Sequence, residues 1–115
     1  MGALLGQGNS GYSVLAGTGT TTLNQQSPGQ PQGVGVFYGA NLIALGTAPV
    51  LTVVDIIQSG PGGTNTATNT LFNGTGTAAG QLFQAGVPGV GVRYKGNLVA
   101  VTTATAAGTW NVLWD

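Results

Sequence analysis

Two stretches of this chain, 33–49 reading GVGVFYGANLIALGTAP and 89–105 reading GVGVRYKGNLVAVTTAT, lie 56 positions apart and agree at ten of seventeen positions. Most of the differences, such as Ile43 against Val99 and Leu45 against Val101, keep the side-chain type. Each copy opens with apolar residues at every second position, Val34, Val36 and Tyr38 in one and Val90, Val92 and Tyr94 in the other. Each breaks at Gly39-Ala40 or Lys95-Gly96 and starts a second apolar run at Asn41-Leu42 or Asn97-Leu98. Period-two runs joined by a Gly-containing break predict a β-hairpin. The chain thus reads as two copies of one antiparallel unit, with Val36 and Val92 expected on matching faces and at matching burial.

The rest of the chain fits an all-β plan. Residues 1–10, MGALLGQGNS, are small and glycine-punctuated and read as a flexible N-terminal arm; 11–115 reads as a single β-sandwich domain. Tyr12, Val14 and Ala16 alternate, Gly17 to Gly19 turns, and Thr20 to Leu23 forms another short strand. Pro28 and Pro31 make 25–32 a surface loop. Val50 to Ile57, VLTVVDII, is the most apolar run; its length, its β-branched residues and its Pro and Gly flanks favour a central strand over a helix. Ser59 to Gly63 is a loop, Thr64 to Phe72 a Thr/Asn-rich edge strand, and Asn73-Gly74 a two-residue hairpin signal. Thr109 to Trp114 takes the place that Val53 to Gln58 holds in the first copy. Eight or nine short strands with frequent turn signals imply an antiparallel β-sandwich or jelly roll.

Charge narrows the function. Only Arg93, Lys95, Asp55 and Asp115 ionise among 115 residues, so sixteen Thr, eight Asn, eight Gln and 22 Gly must solvate the surface. A surface with so little charge does not repel its neighbours, which predicts burial by other subunits. Two cations cannot neutralise the many phosphates that nucleic-acid affinity rests on. No stretch approaches the ~20 apolar residues of a membrane span, and the first residues lack the basic start of a secretory signal.

Chemistry has little to work with. The chain has no His and no Cys, so the common base and nucleophile pairings are missing, and solitary carboxylates make a poor site for a hard cation. Asp55 and Asp115 are the one conceivable acid-base pair. Asp115 is expected to fray, and Asp55 aligns with Asn111, as though the slot needed only a short polar side chain. The expectation is no catalytic residue, no metal and no cofactor. The glycine strings GTGT, GVGV and GPGG lack the Lys-Ser/Thr of a phosphate loop and read as turns; Asn73-Gly74-Thr75 matches a glycosylation triplet but reads as the same hairpin turn. Four residues are candidates for partner contact. Arg93 and Lys95, two apart, face away from Val92 and Tyr94 and suit either solvent or a partner's carboxylate. Trp110 and Trp114, four apart, share a face with Val112 and suit the core, a subunit interface or a sugar platform.

The GVGVxY strand, the aliphatic run that ends in TTAT, and the terminal WNVLWD resemble the small Gly/Thr-rich β-sandwich virion proteins of tailed bacteriophages, above all the capsid decoration, or cement, proteins. The resemblance covers about Gly17 to Asp115. It implies a viral structural protein on the capsid exterior, a homotrimer whose partners are itself and the major capsid protein, reinforcing the shell near three-fold positions. That family has no catalytic residues to carry over. The alternatives are a phage tail or fibre module, and a carbohydrate-binding sandwich that uses the two tryptophans.

Overall fold

The computed structural model describes residues 11–24, 35–59, 62, 64–87, 90–103 and 108–115, with the side chains of 11–13 left aside. The arm expected over 1–10, the loop over 25–32 and most of the loop after Ser59 lie outside the described residues. The described chain is all β. Its nine strands are β1 (Gly11–Ala16), β2 (Gly19–Asn24), β3 (Gly35–Ala44), β4 (Val50–Ser59), β5 (Asn65–Thr75), β6 (Leu82–Gln84), β7 (Val92–Tyr94), β8 (Asn97–Thr103) and β9 (Thr109–Trp114). They form two antiparallel sheets. The first runs β1-β9-β3-β6, with β7 also beside β3, and the second runs β2-β8-β4-β5.

The pairing is nested. β1 pairs with β9, β2 with β8, β3 with both β6 and β7, and β4 with β5. A long hairpin with its tip between β4 and β5, folded back so that its arms alternate between two layers, has this order; it is a jelly roll, with one of the usual eight strands split into β6 and β7. The apolar run Val50 to Ile57 is a central strand as expected, flanked by β8 and β5. Its alternate residues Leu51, Val53 and Asp55 point inward.

The core between the sheets contains Phe37, Leu42, Leu51, Val53, Tyr94, Leu98, Trp110 and Val112, all with no exposed surface. Aromatic rings run through it from one sheet to the other and back: Phe37 to Phe72 at 6.1 Å between centroids, Phe72 to Phe83 at 5.5 Å, and Phe83 to Trp110 at 5.6 Å. These separations suit tilted and edge-on contacts.

The repeat does not fold as two hairpins. The first copy continues through Gly39 as the single strand β3, whereas the second bends at Lys95-Gly96 and sends β7 to the first sheet and β8 to the second. The cause is one pair of aligned residues. Position 37 is Phe, which turns inward and is fully buried; its counterpart is Arg93, which must turn out. In the first copy a bulge between Phe37 and Gly39 then shifts the alternation, so that Ala40 and Leu42 face the core. Gly39 has φ 146°, and a Cβ there would run into the Phe83 carbonyl. In the second copy Tyr94, rather than its neighbour Arg93, enters the core. Val36 and Val92 are both half-buried, but they sit on opposite faces: Val92 pairs with the inward Phe37, and Val36 with the outward Arg93.

Asn73-Gly74 is not a turn either. Both residues stay in β5, paired with Thr52 and Leu51 of β4. Gly74 lies under the Phe72 ring, where a Cβ would collide with it. Pairing with β4 at ten positions outweighs a local turn preference.

The phase change makes the two aligned positions respond in opposite ways. Phe37→Ala is expected to lower stability by about 3–5 kcal/mol, the usual cost of emptying a buried aromatic site. Arg93→Ala should lower it by no more than about 1 kcal/mol, the range of an exposed charged side chain. Urea unfolding of the two variants followed by tryptophan fluorescence measures both, and equal losses would contradict the assigned faces.

Candidate functional site

Two polar side chains are buried in the described core, Asp55 and Thr102, and each holds a place where the chain crosses between sheets. Asp55 ends the inward row of β4, 3% exposed. Its Oδ2 accepts the backbone N–H of Lys95 at 2.9 Å, and its Oδ1 accepts that of Gly96 at 2.8 Å. These amides lie between β7 and β8, where the chain leaves one ladder and has not yet joined the other. A buried amide left without a partner is costly, and a carboxylate is among the strongest acceptors available. Gly96 packs so closely on the Ile56 carbonyl that a Cβ would overlap it. The Thr102 hydroxyl does the matching work between β1 and β2, donating to the Gly17 carbonyl at 2.9 Å. Gly17 has φ 83°, and its amide donates to Gly108 at 3.1 Å.

Tyr94 links the Asp55 corner to the end of β9. Its hydroxyl donates to the Asp115 carbonyl at 2.8 Å and accepts from the Asn24 side-chain amide at 2.6 Å. Burial pushes the phenol above its ordinary range; the Asn24 bond works the other way, and the charges of Asp115 and Asp55 add to the rise. Asp115 does not fray. Its amide donates to the Val36 carbonyl at 2.7 Å, and its carbonyl accepts from the Val36 amide at 3.0 Å, which extends the β3–β9 ladder by one pair. The equivalence of Asp55 and Asn111 also fails. Asp55 faces the core, whereas Asn111 lies on the outer face of the first sheet between Val14 and Asn41, its Oδ1 buried without a hydrogen-bond partner among the described residues.

The four contact candidates do not form one cluster. Arg93 and Lys95 are both exposed, Arg93 on β7 and Lys95 just past its end. Trp110 has no exposed surface, and Trp114 is half-buried against the core. Their rings pack inside, which leaves no pair of open faces for a sugar.

Sequence reading missed a different surface. Among the described residues, the large hydrophobic ones left exposed are Val14, Tyr38, Ile43, Leu82, Val87 and Val90. Every one belongs to the first sheet or to the segment joining β6 to β7 along its edge. One row runs across that sheet as Val14, Asn111, Asn41 and Leu82, and a row at one end holds Arg93, Val36 and Asp115. Across the first row the apolar residues thus stand on the flanking strands with two asparagines between them, Tyr38 and Ile43 project from β3, and charge lies at one end of the face. The outer face of the second sheet instead sets Val54 and Val99 between Thr22 and Thr70. The signal for the apolar face lay in residues far apart in sequence, so only the pairing register brings it together.

Among the described residues there is no group of three or more His, Cys, Asp or Glu placed to hold a metal, and no helix long and apolar enough to cross a membrane. A shallow groove of about 350 Å³ between β1 and β2 is lined by Leu15, Thr18, Thr20, Thr21 and Thr102 among others, with no titratable side chain. The class these features define is a jelly-roll sandwich whose most distinctive surface is an apolar sheet face. Set against known protein families, curated proteins and solved structures, the chain matches none.

Two outcomes follow from the corner chemistry. Asp55→Ala leaves two amides unpaired and is expected to lower stability by on the order of 3 kcal/mol, and Thr102→Val by about 1 kcal/mol; denaturant titration reads both. The raised Tyr94 pKa contributes stability that is fully present below the ordinary value of about 10 and is lost as pH rises through the higher folded value. Melting temperature should therefore fall above about pH 10, and fall less steeply in Tyr94→Phe. A profile unchanged by that substitution would remove Tyr94 as the cause.

Proposed function

We propose that this chain is a structural virion protein that binds and stabilises a bacteriophage capsid shell from the outside, a homo-oligomeric decoration (cement) protein whose expected form is a homotrimer. One observation carries the reading: among the described residues the exposed large hydrophobic side chains gather on the outer face and edge of one sheet, while the chain has almost no charge with which to solvate them. Exposed apolar side chains gathered on one face, interleaved with uncharged asparagines and with charge only at one end, suit a protein contact. The jelly roll supports the reading as an analogy of fold, since virion proteins often use it, but sugar-binding domains use it as well. For sugar binding by the tryptophans the packing of Trp110 offers no accessible ring. A tail or fibre module would use the same face, and the particle component that retains the chain distinguishes it from a capsid protein.

Attachment through this face should resist salt, because apolar burial is not screened and only the Arg93 end is ionic. Particles carrying the chain are expected to keep it through a 1 M sodium chloride wash and to release it in moderate guanidinium. Val14→Asp combined with Leu82→Asp should weaken binding at least roughly tenfold, given the apolar area each residue contributes. Release in salt alone, reproduced by Arg93→Ala at low ionic strength, would make the Arg93 end the anchor and overturn this account.

A further inference from the structure

Residues Thr64 to Thr70 read TNTATNT, the same in both directions about Ala67. All but the first lie in β5, the outermost strand of the second sheet, which among the described residues is paired on one side only, with β4. All seven are exposed. The stretch has no charge and no proline, and the single register shift of β5 falls beyond it, opposite Val53 and Val54. Edge strands are ordinarily blunted by one of those devices, because their outward amides and carbonyls are a template for another strand. Here half of an eleven-residue edge has none of them.

We propose that this edge pairs antiparallel with the same edge of a second copy of the chain, Ala67 opposite Ala67, joining two four-stranded sheets into one. The palindrome is what selects a second copy as the occupant. About a two-fold axis at Ala67, Thr64 faces Thr70, Asn65 faces Asn69 and Thr66 faces Thr68, so every residue meets its own kind. Facing threonines hydrogen-bond across strands and form favourable pairs. The register also keeps the faces in phase. Thr66, Thr68 and Thr70 sit opposite Gln58, Ile56 and Val54 on the outer side of the sheet, and Asn65, Ala67 and Asn69 lie on the side of the inward Asp55. Thr meets Thr only when both sandwiches lie on the same side of the joined sheet. A slip of one residue would set Thr against Asn or Ala and turn one sandwich to the other side.

The contact is isologous, each chain giving the same patch. A homotrimer is built from heterologous contacts instead, so this edge is a separate surface and does not depend on the capsid reading. The test accordingly uses the purified full chain without particles.

The chain has no cysteine, so one can be placed at will. In Ala67→Cys the two copies of the residue face each other at about 4.5–5.5 Å between Cα atoms, within disulfide reach. In Thr70→Cys, on the same exposed strand, they lie six residues apart along the strands, about 20 Å. Under mild oxidation Ala67→Cys is expected to form a covalent dimer at least roughly tenfold faster than Thr70→Cys, because pairing raises the effective thiol concentration. A second measurement uses charge. Ala67→Lys and Ala67→Glu each place like charges opposite one another and should weaken dimerisation at least roughly tenfold, while mixing the two restores a mixed dimer by native mass. Equal cross-linking at 67 and 70, or dimers that Ala67→Lys leaves intact, would overturn the proposal. Binding of the same variants to particles would be unaffected in either case, so the two readings fail separately.

Discussion

The carboxylate of Asp55 holds the corner on which the two-layer arrangement turns. A chain that alternates between sheets must repeatedly leave one ladder before it enters the next, and its amides need partners at those points. With so few charges and no cysteine to clamp the layers, this protein meets the need with two buried side chains. Asp55 takes the amides between β7 and β8, and Thr102 takes the carbonyl between β1 and β2. Both lie on central strands of the second sheet, β4 and β8, which pair with each other. The corners are thus fastened to the most heavily paired part of the molecule, and the core packs around positions already set by hydrogen bonds. Tyr94 carries the same constraint across the interior, since its ring enters the core one residue before the corner and its hydroxyl holds the Asp115 carbonyl.

The all-β class, the sandwich or jelly-roll architecture and most strand positions were legible, because period-two runs and Gly or Pro punctuation are local signals. The central place of Val50 to Ile57 could be read from its unbroken apolarity. What a local pattern does not contain is which sheet a run joins. The two copies of the repeat differ at Phe37 and Arg93, and that exchange reverses which neighbours face the core, so similar sequence yields a continuous strand once and a crossing corner once. The Asn73-Gly74 turn failed for a related reason: a long partner strand outbid a two-residue preference. The buried role of Asp55 was likewise hidden, since its partners are backbone amides 40 and 41 residues away. Of the candidate site, the exposure of Arg93 and Lys95 followed from alternation, whereas the apolar face needed the register of four strands.

The surface is divided as sharply as the interior is uniform. One sheet presents Val14, Ile43 and Leu82 to the outside, and the other presents threonines around a central strip of valines. Threonine satisfies both demands of such a strand, β-branched for the pleat and hydroxylated for water. A near-chargeless protein of this kind has little long-range repulsion, so its associations are decided by shape, apolar area and backbone pairing at short range. The apolar face and the bare β5 edge lie on different sheets, which allows one chain to engage an underlying surface and a sister chain together.

The Asp55 corner is the fastening on which the rest of the two-layer fold depends, and amide hydrogen exchange measured residue by residue tests it most directly. Lys95 and Gly96 lie in a connection between strands, where amides ordinarily exchange quickly. If Asp55 holds them as described, their protection will match that of core amides in β4 and β8 and will vanish selectively in Asp55→Ala under conditions where that variant stays folded. Fast exchange at Lys95 and Gly96 in the unaltered protein would contradict the account, and the sheet crossing would then need another explanation.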